Sequence, residues 1–136
     1  MAHSLKNNDY QPYQPDPRIL AESVLDITEY LGNTAASPLS VNIFCLEHDL
    51  NFDDFTQIWR CLSKIVTDQD NIGLKITFPL IKKRLKQAAG PQVKEFNDQA
   101  MVGLIKVFAK NLIPDLYVLS LSIEDDYQAS EQNRSH

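Results

Sequence analysis

The chain has 136 residues, 43% hydrophobic and 23% charged, with a formal net charge of -5. A chain of this size is read as one domain able to bury a contiguous core, and its balance of apolar to charged residues is that of a folded protein rather than a disordered one. No run approaches the roughly 20 apolar residues of a membrane span, and the N-terminus lacks the roughly 7 to 15 residue apolar block of a secretory leader, so a cytoplasmic location is expected.

Residues 1–17 carry tyrosines, glutamines and prolines without a periodic apolar face and are expected to form a flexible tail ahead of a single domain over 18–123. Asp16-Pro17 is a helix start: the carboxylate can accept from first-turn amides, and proline at the first helical position loses no bond. Leu20, Val24, Ile27 and Leu31 then recur at spacings of four, three and four, predicting an inward face closed by Gly32. Ser37-Pro38 repeats the start signal for a second helix facing inward through Leu39, Ile43, Leu46 and Leu50. Asn51 should cap a third, with Asp53 and Asp54 in its first turn and the chain's richest apolar stripe over Phe55, Ile58, Trp59, Leu62, Ile65 and Val66.

Beyond the turn expected at 67–71, Ile72, Leu74, Ile76 and Phe78 alternate with Gly73, Lys75 and Thr77, a strand-like period. Thr77 and Pro79 open a short helix through Ala89, and a long helix over Pro91 to Ile113 must stop before Pro114. Gly103 inside it suggests close approach of another helix. Leu119, Leu121 and Ile123 alternate with Val118, Ser120 and Ser122, a second strand-like run. The expected fold is mostly α, a bundle of about five helices that can carry a small two-stranded element if 72–78 and 116–123 pair, followed by a flexible acidic tail over 124–136.

Motifs for chemistry are lacking. The stretch from Asp68 matches a calcium loop at Asp68, Asp70 and Gly73 but fails at Ile72 and Pro79, where an oxygen ligand and the bidentate glutamate belong. His48 is the single histidine inside the expected domain, so neither a zinc set nor a paired nucleophile is supported. Cys45 and Cys61 sit in apolar helical patterns and read as buried and reduced. No phosphate-binding glycine loop is present, and neither a metal nor another cofactor is expected.

One concentration of charge stands out. Lys75, Lys82, Lys83, Arg84, Lys86 and Lys94 follow one another without an intervening acid, and on a helix Lys82, Lys83 and Lys86 fall opposite Leu80, Ile81 and Leu85. The segment is too short for a membrane-surface helix. The expectation is a small non-enzymatic regulatory or adaptor protein that docks an acidic patch of a protein partner through these cations. The alternative is a nucleic-acid-binding regulator of helix-turn-helix or winged-helix type, disfavoured because the would-be recognition helix starts with Asp53 and Asp54. Homo-oligomerisation is compatible with the chain, since Met101, Val102 and Ile105 give the Pro91–Ile113 helix apolar residues on several sides.

Overall fold

Local capping signals set most helix starts in the computed structural model, which describes residues 16–134. Helix α1, Pro17–Tyr30, begins where the Asp16 carboxylate accepts from the amides of Arg18 (2.8 Å) and Ile19 (3.3 Å). Helix α2, Val41–Glu47, is capped by Ser40, whose hydroxyl accepts from the Ile43 amide, and not at Ser37-Pro38, which lies in the preceding loop. Helix α3, Phe52–Ile72, opens with a reciprocal box: the Asn51 side chain accepts from the Asp54 amide while the Asp54 carboxylate accepts from the Asn51 amide. Thr77 caps α4, Phe78–Ala88. A single turn, α5 (Pro91–Lys94), precedes Asn97, which caps α6, Asp98–Asn111. A 3-10 turn at Pro114–Leu116 leads into α7, Tyr117–Arg134.

The mostly helical expectation holds, but with seven helices and no strand among the described residues. Of 72–78, Ile72 still belongs to α3, Gly73 stops that helix at φ 68°, residues 73–77 are irregular, and Phe78 opens α4. The expected turn at 67–71 is therefore helix. Of 116–123, nearly all is α7, because Leu116, Ser120 and Ile123 are buried with Tyr127 packed behind them, a spacing of four, three and four that outweighs the short alternation. Ser120 is tolerated inside because its hydroxyl donates to the Tyr117 carbonyl at 2.6 Å. The same helix takes up 124–134 of the expected C-terminal tail. Residues 135 and 136, and 1–15 of the expected N-terminal tail, lie outside the described residues.

Helix α6 is the centre of the core. Every residue from Ala100 to Ala109 except Lys106 is buried. Helices α7 and α2 and the 3-10 turn pack against α6, while α3 packs chiefly on α4. Met101, Val102 and Ile105 are thus interior to the fold rather than a dimer face. Lys106 escapes at the edge, where its Nζ donates to Glu124 Oε2 and Ser37 Oγ, both at 2.9 Å, tying α6 to α7 and to the 34–38 loop.

Two faces lie differently from their periodicity. Helix α2 buries Val41, Phe44 and Cys45 while Leu39 and Leu46 lie at the surface. In α1 the buried residue is Thr28, and Leu20, Ile27 and Leu31 point outward, 51%, 59% and 66% exposed. Each helix carries two apolar rows, and tertiary packing selects the row adjacent to the one the spacing favours.

The element approaching Gly103 is a loop rather than a helix: a Cβ on Gly103 would collide with the Ala35 carbonyl oxygen, a backbone atom. Gly→Ala in an open helix interior stabilises by about 1 kcal/mol, whereas forcing apart a packed contact costs about 1–3 kcal/mol. Gly103→Ala is therefore expected to destabilise by up to about 2 kcal/mol net, read as a lower urea midpoint at unchanged m-value; a raised midpoint would show that the loop yields freely.

Candidate functional site

The cations singled out from the sequence divide into two groups. Lys82 reaches Asp98 at the start of α6 (2.8 Å) with its ammonium 5.0 Å from the centre of the Phe78 ring. Arg84 pairs with Asp68 of α3 at 2.9 Å, and Lys64 meets the other oxygen of that carboxylate at 3.2 Å. The Arg84 and Lys64 hydrogen bonds hold the Asp68 carboxyl below its ordinary range. Lys86 donates to the carbonyls of Lys94 (3.3 Å) and Phe96 (3.2 Å), which lie at and just beyond the end of α5. Lys82, Arg84 and Lys86 therefore brace α4 against α3, α5 and α6. Lys75, Lys83 and Lys94 are exposed, and none of them makes an ion pair among the described residues. The six do not form one outward cationic face.

Burial shifts the histidine and both cysteines of the described residues toward their neutral forms. The His48 ring lies between Phe44 and Phe96, with centroids 4.3 and 4.9 Å away. Its buried Nε2 has no hydrogen-bond partner among the described residues, and Glu47 Oε1 stands 3.7 Å off. Burial pushes the imidazole pKa below its usual value, against the opposing pull of Glu47 and Asp49. Burial, reinforced by Asp54, pushes the Cys45 thiol up to about 11, and burial raises that of Cys61 despite Arg84 nearby. Among the described residues no group of His, Cys, Asp or Glu is arranged to hold a metal ion, and no helix is long and apolar enough to cross a membrane.

The feature that sequence reasoning missed lies on α3. Ile58, Leu62 and Ile65 fill the core as expected, but the apolar stripe is wider than its neighbours cover. Phe52 is 77% and Trp59 41% exposed, with half-buried Phe55 between them. Phe52 stacks on Phe55 at 5.9 Å, and Phe55 meets Trp59 edge-on at 5.7 Å, so the three rings form one continuous row. A depression of about 440 Å³ lies along this row, lined also by Thr56, Ser63 and one charged side chain, Arg60. A second, of about 230 Å³, continues from Phe52 and Phe55 to Asn42, Cys45 and Leu50. The available signal was the helical position of Phe52 and Trp59, about a third of a turn off the Ile58–Leu62–Ile65 line; the aromatic character of Trp59 pulled it into the core reading.

Comparison with family models, with curated proteins and with solved structures finds no match to this chain.

Two outcomes follow. Lys82→Gln should cost less than about 1 kcal/mol, as for other partly exposed pairs, and Arg84→Gln should also lower the thermal midpoint, whereas Lys83→Gln should leave it unchanged; equal effects at all three would remove the division drawn here. Because the native pKa of His48 lies below that of the unfolded chain, the unfolded state binds more protons as pH falls through the usual histidine range. Stability is therefore fully present above that range and declines as pH is lowered from about 7.5 to about 5.5. His48→Phe should flatten this part of the decline in urea-unfolding midpoints; an unchanged pH profile in the variant would assign the decline to other groups.

Proposed function

We propose that this chain is a non-enzymatic interaction protein that works by protein-protein contact, with the aromatic row of α3 as its docking surface. The observation that supports the reading is the row itself: Phe52, Phe55 and Trp59 form an apolar ridge beside a depression, with Phe52 and Trp59 exposed and Phe55 half-buried between them. Exposed aromatics grouped in this way are uncommon on a surface that meets only water, and Trp and Arg are the side chains that most often dominate protein interfaces. Arg60 is the charged group at the rim, so the occupant is an amphipathic segment with apolar anchors for the depression and a carboxylate opposite Arg60. Such a partner keeps the acidic character expected from the sequence and moves its contact from α4 to α3.

The adaptor reading and a cytoplasmic location belong to this proposal, as does the absence of catalysis, which is supported by thiols held protonated and an imidazole enclosed by phenyl rings. The nucleic-acid alternative rests on Lys75, Lys83 and Lys94, the cations left facing water.

A displayed peptide library selected on the intact chain tests the reading. Selected peptides are expected to be amphipathic and acid-bearing, to shift the emission of Trp59, the single tryptophan, to the blue, and to bind at least about tenfold more weakly to Trp59→Ala and to Arg60→Glu. Peptides that bind both variants as well as the native chain would overturn the α3 surface. Salt-sensitive binding of duplex or single-stranded nucleic acid that is lost in Lys83→Glu would transfer the function to the alternative.

A further inference from the structure

Helix α1 presents a second uncovered apolar face, and its pattern is specific enough to name an occupant. Among the described residues the principal contact of α1 is with α2, and its more buried side carries Thr28, Ala21 and Leu25. Leu20, Val24, Ile27 and Leu31 form the adjacent row, with Val24 half-buried and the other three exposed. Their four-three-four spacing is that of alternating core positions in a two-helix coiled coil. Helix α1 is 14 residues long, about 21 Å, and the row runs along it to Leu31 at the C-cap.

Two properties of the row point to a second copy of this chain. The spacing reads the same from either end, so an antiparallel twin sets Leu20 against Leu31 and Val24 against Ile27 about a twofold axis between residues 25 and 26. A twofold interface demands such self-complementarity. The charges of α1 are also confined to the far side: Arg18, Glu22, Asp26 and Glu29 share one sector, while the free edge of the row is bordered by Ser23 and Tyr30. In the antiparallel arrangement Tyr30 of one copy lies beside Ser23 of the other, a large side chain over a small one. Two copies thus bring an uncharged surface to an uncharged surface, although each chain carries a net charge of -5. A partner recognised through charge would have nothing to read here. We infer that the chain forms an antiparallel homodimer through α1, separate from the α3 surface.

Sedimentation equilibrium of the full chain tests this. The mass should rise from 15.5 kDa toward twice that value as concentration increases from about 5 to about 500 μM. Ile27→Asp, at an exposed position, should keep the native circular dichroism and remain monomeric throughout, and Trp59→Ala should dimerise like the native chain. Register is read by disulfide formation on a non-reducing gel. A mixture of Leu20→Cys and Leu31→Cys chains should cross-link, and neither alone should do so beyond the native background. A chain that stays monomeric at every concentration would overturn the inference and leave the face to another apolar helix. A dimer that survives Ile27→Asp, or that is lost in Trp59→Ala, would place the contact elsewhere, and self-cross-linking of either cysteine variant alone would overturn the antiparallel pairing.

Discussion

A helix that is apolar on every side has to be enclosed, and α6 imposes that condition on the whole molecule. Nine of its side chains and backbone positions between Ala100 and Ala109 are buried, and the neighbouring helices and loop are arranged to keep water from them. Helices α2 and α7 close two sides. The loop before α2 closes another by laying the Ala35 carbonyl on Gly103, the one position without a side chain to hold it off. Lys106 sets where the enclosure ends, because its ammonium must reach Glu124 and Ser37 at the rim rather than remain inside.

That arrangement determines how charge is used. The cation-rich α4 carries Ile81 and Leu85 into the core, and its polar edge is then close enough to α3 and α6 for Arg84 and Lys82 to meet Asp68 and Asp98. Of the six cations clustered in the sequence, Lys82, Arg84 and Lys86 clamp helices together in three dimensions. Beside the exposed Lys75, Lys83 and Lys94, apolar rows are also left uncovered. The outer edge of the α3 stripe and the outer row of α1 are both left over once α6 is surrounded, which is why the candidate surfaces of this protein lie on those helices.

Burial also moves the pKa values of Cys45, Cys61 and His48 toward their neutral forms. The Cys45 thiol is raised by the apolar surroundings that make it useful as core filler. His48 is held as a ring between Phe44 and Phe96, its buried Nε2 without a hydrogen-bond partner among the described residues, which makes it a weak point at lower pH.

The sequence alone determined the helical class and several helix ends. Asp16, Asn51 and Thr77 act through side-chain bonds to amides two or three residues away, and Pro114 stops α6 through its own ring, so these signals need nothing from the rest of the chain. Asn97, a cap of the same kind, was equally local but hidden inside an apolar pattern that ran through it. Only the tertiary structure decided which row of α1 and α2 faces inward, which way Phe52 and Trp59 point, and which carboxylates meet Lys82 and Arg84. Those outcomes depend on partners 16 or more residues away in the case of the ion pairs, and on which of two adjacent apolar rows fits the surface around α6. Periodicity fixes the width of an apolar stripe; the neighbour that covers part of it fixes what is left outside.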